Sequence, residues 1–420
     1  MQNAEKIDFQ VKILVWFRRD LRLHDHAALY YATEQGHEIA GFCSLYENGD
    51  DLFEDGSSRW GSLKLKFYLE SVLDVAHQFE EQHWPFYYTD KPVMEVLNHL
   101  PFDEIWFHRT EGFEEERLVA HLKKVFVCRE FETQTLFSCE DLPFELTKIP
   151  SVFTEFRKKV EKYSEVKRPL NRPHSVQGIA NFPSGLAIQI PDVPIHPQSV
   201  YPFSGGERAG LERLKDWIWE THSLRTYKDT RNGLLGLDYS SKLSAYLAWG
   251  CISPRMVYSE VKRYESEVVQ NSSTYWLIFE LLWRDFFLFT ARKEQGRFFK
   301  MPLKANPKAE AFFDAWKLGK TGQAFVDANM RELLLTGYMS NRGRQNVASY
   351  LVHNLKESWV LGARWFEQQL IDYEPCNNYG NWTYVAGVGH DPRENRVFNP
   401  VLQAEKYDPD QLYVRLWLKP

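Results

Sequence analysis

Glu280, Arg284 and Asp285 interrupt an otherwise apolar run from Trp276 to Thr290. Glu280 and Arg284 are spaced i,i+4, so a helix puts both on one face. Ionised groups in so apolar a setting need partners: either one ion pair inside a core helix, or a polar ligand held by it. Ser240, Ser241, Lys242, Leu243 and Ser244 open a second helical run, where hydroxyls and free backbone N–H groups either cap the helix or seat a phosphate. From Thr336 the chain breaks at Gly337, offers Ser340 or Asn341 as a cap, and sets Arg342 and Arg344 in the first turns of a new helix. Cations there oppose the helix dipole, so solvent or an anionic partner must offset them. Leu370–Tyr384 adds Asp372, Glu374, a proline, three asparagines and the aromatics Trp382 and Tyr384, without helix or strand periodicity. So polar a loop, if buried, needs something to bind.

The elements that must position these residues fall into two groups. Lys12–Phe17 and Glu38–Tyr46 are apolar runs on either side of an amphipathic stretch at Ala27–Thr33, a βαβ pattern. Further strand-like runs at Trp84–Thr89, Glu104–His108 and Lys124–Val127 alternate with helical patterns at Arg59–Phe79 and Glu114–Lys123. The pattern predicts a doubly wound parallel sheet, an α/β domain over residues 10–145. It carries neither GxGxxG nor GxxxxGK[ST], so a nucleotide there would bind without those loops. Seven prolines between Pro169 and Pro202 mark a connector, set at 146–204. Beyond it the spacing is helical and holds ten of the fourteen tryptophans, which predicts an all-α domain over 205–420.

Composition narrows the class. A chain of 420 residues exceeds the roughly 250–300 that one core supports, so two domains are expected. No long uncharged apolar stretch and no basic-then-apolar leader occurs, which points to a cytoplasmic protein with no membrane partner. Five cysteines without a CxxC pair argue against a disulfide framework or a zinc site. Residues 201–420 carry 29 Lys and Arg against 25 Asp and Glu, a mild excess that permits a basic groove without requiring one. His24, Asp25 and His26 imitate a metal pair but have no third ligand nearby in sequence, and Ser204–Gly210 imitates a phosphate loop but follows no strand. Neither is taken as a site, and no metal is expected.

TyrLysAspThrArgAsnGly (227–233), AspTyrSerSerLysLeuSer (238–244), SerAsnArgGlyArgGln (340–345) and TyrGlyAsnTrpThrTyr (379–384), in this order, resemble the photolyase/cryptochrome family and most closely its DASH branch, from Val11 to about Leu418. The resemblance implies FAD in the helical domain. Tyr227, Ser240, Ser241, Leu243 and Ser244 would hold its phosphates, Arg344 and Asp372 would pair beside the ring, and Asn378 would face flavin N5. Glu280, Lys242, Arg284, Tyr373 and Glu374 complete the implied cofactor set; Glu374 stands where the family has aspartate, one methylene shorter. Glu280 and Asn341 would contact a flipped pyrimidine dimer, Arg342 the DNA backbone, and Trp283 and Tyr384 would flank the lesion. Gln345 and Tyr384 match the DASH branch, whose polar lesion pocket favours single-stranded DNA.

The family's photoreduction relay uses three tryptophans. Trp382 and Trp359 are present, while the third position falls at Asn306 in a shortened segment, Lys300–Lys308, leaving Trp316, Phe313 or a direct reductant as substitutes. A folate antenna, 5,10-methenyltetrahydrofolate, is the implied second chromophore, with Glu111 and Glu114 as equal candidates for its carboxylate; solvated helix-start acids are the plain alternative. The expected function is light-driven repair of cyclobutane pyrimidine dimers by a monomer. The competing readings are a blue-light photoreceptor and a flavin-bearing single-strand nucleic-acid binder.

Overall fold

The structure, a computed structural model, describes residues 10–47, 52–175, 177–299, 310–389 and 397–419. Asn306, the rest of Lys300–Lys308, and Asp391 lie outside the described residues. Strand β1 (Lys12–Phe17) runs down the middle of a five-stranded sheet. Its side chains alternate between two cores: Ile13, Val15 and Phe17 enter one, Leu14 and Trp16 the other, all at most 1% exposed. A strand buried on both faces reads as an unbroken apolar run, which is how IleLeuValTrpPhe (13–17) reads after the exposed Lys12.

β1 pairs with β2 (Glu38–Ser44) on one side and β4 (Glu104–His108) on the other; β3 (Phe86–Thr89) and β5 (Val127–Phe131) flank them. All pairs are parallel in the order β3-β2-β1-β4-β5, the doubly wound sheet expected. Helices α1 (Ala27–Glu34), α2 (Ser62–Glu81), α3 (Val93–Leu97) and α4 (Phe113–Leu122) cross over between strands. The last strand begins later than its apolar run. Val125 and Phe126 donate their N–H groups to Leu122 O and so finish the helix, leaving Val127 to start β5 on an exposed edge.

The proline-rich segment covers the opposite edge. Leu186 N donates to Tyr88 O at 2.8 Å, and Ile39 bonds with Gln177 and Ile179, so the free edges of β3 and β2 are paired rather than open. One helix, α5 (Phe153–Tyr163), precedes it.

The helical half comprises α6 (Glu207–Lys215), α7 (Tyr227–Thr230), α8 (Ser244–Ala248), α9 (Pro254–Glu267), α10 (Ser272–Glu294), α11 (Glu310–Lys317), α12 (Ala324–Thr336), α13 (Asn341–Ser349), α14 (Trp359–Gln369), α15 (Pro375–Ala386), α16 (Pro400–Tyr407) and α17 (Leu412–Leu418). Buried polar bonds lock it to the sheet. Arg22, fully buried, donates to Gly250 O and Asp25 O; Arg255 grips the Asp25 carboxylate at 2.9 and 3.1 Å; Glu207 accepts Leu23 N–H and His24 N–H. Gly250, at φ 65°, lies so close to Arg19 O that a Cβ would sit 2.0 Å from it, so this contact admits only glycine.

His26 does gather two companions in space, His108 and Asp20, their ligand atoms all within 4.8 Å. Leu29 N–H donates to His26 Nδ1 and Ala27 N–H to His108 Nε2, each at 3.2 Å. The opposite ring nitrogens therefore carry the protons and face the Asp20 carboxylate at 3.1 and 2.6 Å. Burial, followed by the neighbouring imidazole, pushes His108 down to about 3. With the His26 Nδ1 and His108 Nε2 lone pairs taken by backbone N–H groups, the two rings pack as a buried cluster around the Asp20 carboxylate.

Candidate functional site

The four signature segments converge on one cavity in the helical half. Its wall includes Tyr227 from α7, Ser240–Ser244 at the entry to α8, Glu280 from α10, Asn341, Arg344 and Gln345 from α13, Asp372, Tyr373 and Glu374, and Asn378, Trp382 and Tyr384 from α15.

The serine turn departs from helix capping. α8 has only five residues, and its cap position, Leu243, makes no side-chain bond to it. Lys242 adopts φ 61°, which turns the backbone before the helix begins. Its ammonium donates to Ser240 Oγ at 3.1 Å and lies over the Tyr239 ring, and burial holds its pKa well below the ordinary lysine value. Arg213, which sequence reasoning missed, holds this turn from behind by donating to Ser241 O and the Asp238 carboxylate at 3.0 and 3.1 Å. It also pairs with Asp216 one turn on at 2.7 Å, but the serine turn it supports lies 25 to 28 residues away, so no local pattern announced that role.

Helix α13 starts where expected, with Ser340 Oγ accepting Gly343 N–H at 3.0 Å. Arg344 then donates to Met339 O at 2.9 Å and Asp372 Oδ2 at 2.7 Å. Burial alone would lower its pKa, but the Asp372 carboxylate holds it above the ordinary arginine value. Asp372 Oδ1 is buried without a protein partner.

From Pro375 on, the polar segment leading to Tyr384 is helix rather than loop. Glu374 accepts Cys376 N–H at 3.1 Å and Asn377 N–H at 2.8 Å, and with Pro375 in the first turn it starts helix α15. Asparagines and glycine obscured the helix because they score poorly in helix interiors. The capping bonds also show what Glu374 does with its longer side chain. Asn378, one turn on, donates to Ala363 O at 3.0 Å, which fixes the amide on the cavity wall.

Glu280 does not pair with Arg284. It accepts from Arg231 at 2.5 Å and from Trp276 Nε1 at 3.1 Å, and burial raises its carboxyl while Arg231 opposes the shift. Arg284 is a correction to the cofactor set: its guanidinium turns away and donates to Gln134 O and Leu247 O, tying α10 to backbone on either side. Asp285, beside it, accepts the Leu136 and Phe137 N–H groups. The i,i+4 spacing was right, but long-range carbonyls won the guanidinium.

Trp283, Arg342 and Trp359 also lie off the wall. Trp283 stacks on Phe153 at 3.7 Å and meets Tyr384 only edge-on, at 6.0 Å. Arg342 bonds Asn232 and Gln345 at 2.8 and 2.9 Å, and its guanidinium lies over the Tyr407 ring. Trp359 packs edge-on against Tyr379 at 5.9 Å, while Trp382 sits on the wall with Trp316 edge-on at 6.3 Å.

Comparison with known proteins places this arrangement. Residues 13–174 match the family model described as DNA photolyase, and residues 276–420 that described as the FAD binding domain of DNA photolyase. The cryptochrome DASH of Synechocystis sp. is 42% identical, over 97% of this chain and 87% of that protein, and the cryptochrome DASH of Xenopus laevis is 41% identical, over 97% and 82%. The crystal structure of the Synechocystis sp. cryptochrome superposes with a TM-score of 0.90 at 40% identity, over 100% of this chain and 89% of that one. The chain belongs to the photolyase/cryptochrome family, among the DASH cryptochromes. Its helical half thus includes the family's FAD-binding domain, and the wall just described lies largely within it.

A second recess, the cleft between sheet and helices, backs onto the first: Tyr373 lines both. The cleft carries Arg18, Arg19, Arg59, Lys64 and Arg364 against Glu47, Glu54, Glu114, Glu115 and Glu367. Of the two antenna candidates, Glu111 is a correction: it is buried outside the cleft wall and bonded to Arg292. Glu114 does reach the wall, 3.4 Å from Arg59, with its side chain half in solvent. The acid that sequence reasoning missed is Glu115, partly buried beside the Arg18–Glu47 pair, whose carboxyl burial and then Glu47 push up to about 7. Glu114, Glu115 and Glu116 all suit a helix's first turn, so nothing local said which would face the cleft. The five cysteines are all unpaired. Among the described residues, no helix is long and apolar enough to cross a membrane.

Proposed function

We propose that the chain is a blue-light-driven carbon–carbon lyase of the deoxyribodipyrimidine photolyase type, splitting cyclobutane pyrimidine dimers with single-stranded DNA preferred over duplex. The observation that carries the reading is that one wall holds both residue sets, Arg344, Asp372 and Asn378 together with Glu280, Asn341, Gln345 and Tyr384.

The residues present fit FAD. The unpartnered Asp372 Oδ1 awaits a donor such as a ring imide or ribityl hydroxyl, and the serine turn offers hydroxyls for phosphates. Held by these residues in its reduced state, FAD would supply the light-driven one-electron chemistry that opens the cyclobutane ring. The chain's own task is to bind, orient and tune. Asn378 is a neutral amide that donates a hydrogen bond without readily giving up a proton, which suits an anionic reduced ring. Glu280, oriented through Oε1 by Arg231 and Trp276, presents a carboxylate that can accept a pyrimidine N–H, with Asn341 as the second polar contact. Gln345 and Tyr384 make the lesion side polar. Less apolar area is then buried to offset the few kcal/mol of unstacking a duplex demands, which favours single strands. Arg342, off the wall beside Asn232, suits a backbone phosphate.

The interdomain cleft suits a folate-class antenna such as 5,10-methenyltetrahydrofolate. Its cations complement a glutamyl tail, and Glu115 or Glu114 can accept from a pterin. The test is illumination of reduced protein with dimer-bearing oligonucleotides. The expected result is light-dependent recovery of thymine, faster on single strands; no recovery on either leaves the photoreceptor or binder reading.

A further inference from the structure

We propose that Tyr379 is the terminal electron donor of the aromatic relay, completing through the interdomain cleft a chain whose third tryptophan position is asparagine. The proposal rests on the photoreduction reading of the flavin cavity and deepens it. Trp382 lies on the cavity wall and packs flush on α14: a Cβ on Gly362 would meet its ring at 2.2 Å. Trp359 is three residues earlier on that helix, hence on the same face, and joins the same hydrophobic cluster. Its ring meets Tyr379 edge-on at 5.9 Å and 85°. Tyr379 lines the cleft together with Glu367, Arg364 and Phe299, whose ring it meets edge-on at 5.5 Å.

A competing branch leaves Trp382 through Trp316 at 6.3 Å to Phe313 at 5.8 Å. Trp316 is fully buried with its Nε1 bonded to Val347 O, and a phenyl ring is far harder to oxidise than an indole or a phenol. That branch ends on a ring that cannot hold the hole. The Tyr379 branch ends on one that can. Burial, and next the Glu367 carboxylate, keep the phenol above its ordinary pKa, so it is protonated at rest and must release a proton when oxidised.

The step balances as follows. A photoexcited oxidised flavin is the oxidant and takes one electron from the Trp382 indole. Trp359 refills Trp382, and Tyr379 refills Trp359. The phenolic proton leaves to the Glu367 carboxylate across the cleft, and an external thiol later restores tyrosine by hydrogen transfer.

The experiment uses the full flavin-loaded chain under anaerobic blue light with a thiol. The wild type should show a neutral tyrosyl radical by electron paramagnetic resonance. Tyr379→Phe should abolish it, leave a longer-lived tryptophanyl radical, and slow photoreduction roughly tenfold at unchanged flavin content. Absence of a tyrosyl signal in the wild type overturns the proposal without needing any variant. So does a wild-type rate in Tyr379→Phe while Trp359→Phe is slow, which leaves the tryptophan relay standing. If Trp359→Phe is also as fast as wild type, the relay reading itself fails. Slowing by Trp316→Phe without slowing by Tyr379→Phe assigns the route to the other branch.

Discussion

The cavity in the helical half and the cleft beside it share a wall at Tyr373 but are built oppositely. In the cavity the central charges are matched within the protein: Arg344 meets Asp372 at 2.7 Å and Glu280 meets Arg231 at 2.5 Å. What is left over is specific, a single carboxylate oxygen and an orderly set of hydroxyls and amides. In the cleft, five cations face five carboxylates, of which Glu54 and Glu114 are largely in solvent, and Arg59 is shared between Glu114 and Glu367. A preorganised site fixes one ligand, whereas the solvent-facing Glu54 and Glu114 of the cleft can adapt. The cavity's wall is therefore readable from sequence motifs, and the cleft's is not.

The largest effect should come from unbalancing the cavity. Asp372→Asn leaves the Arg344 guanidinium without its counter-charge; breaking such a buried pair costs roughly 3–5 kcal/mol. If that loss falls on cofactor binding, FAD should be held at least ~100-fold more weakly, measured by fluorescence titration of released flavin. Retention at wild-type affinity would make the two recesses alike.

Next comes Arg284→Met. It strands the carbonyls of Gln134 and Leu247, so the melting temperature should fall by several degrees, at roughly 1–3 kcal/mol for each buried group left unpaired. FAD affinity should not change, because the guanidinium never faced the cavity. A specific loss of flavin without loss of stability would return Arg284 to the cofactor set.

A smaller effect, roughly tenfold on repair rate, is expected for Glu280→Gln, which keeps a hydrogen-bonding end but removes the charge paired with Arg231. Single-turnover repair of a dimer-bearing oligonucleotide at fixed flavin content measures it. The smallest belongs to the cleft. Glu115 is raised from 4.5 to about 7, so the folded state holds its proton more tightly. Its stabilising share is complete below pH 4.5 and is lost as pH rises toward 7. Glu115→Gln should therefore melt with the wild type at pH 4 and roughly 2–4 °C above it at pH 8, as followed by circular dichroism.

Much of this was legible beforehand because local pattern and tertiary role coincide. β1 is apolar from Ile13 to Phe17 because both its faces are buried, and Ser340, a favoured N-cap residue, does cap α13 by accepting Gly343 N–H. What was hidden depended on distance or competition. Arg284 chose carbonyls 150 and 37 residues away over the carboxylate one turn back. Helix α15 was concealed by its asparagines, although Glu374 and Pro375 are sound start signals. Glu111 looked like a cleft acid until Arg292, 181 residues on, took it.

The central claim is that flavin and lesion occupy one cavity. The fluorescence lifetime of bound reduced FAD, measured with a single-stranded oligonucleotide carrying one thymine dimer, tests it most directly. The lifetime should shorten with the dimer and stay unchanged with the undamaged sequence. A lifetime indifferent to the dimer, with the oligonucleotide demonstrably bound, would contradict it.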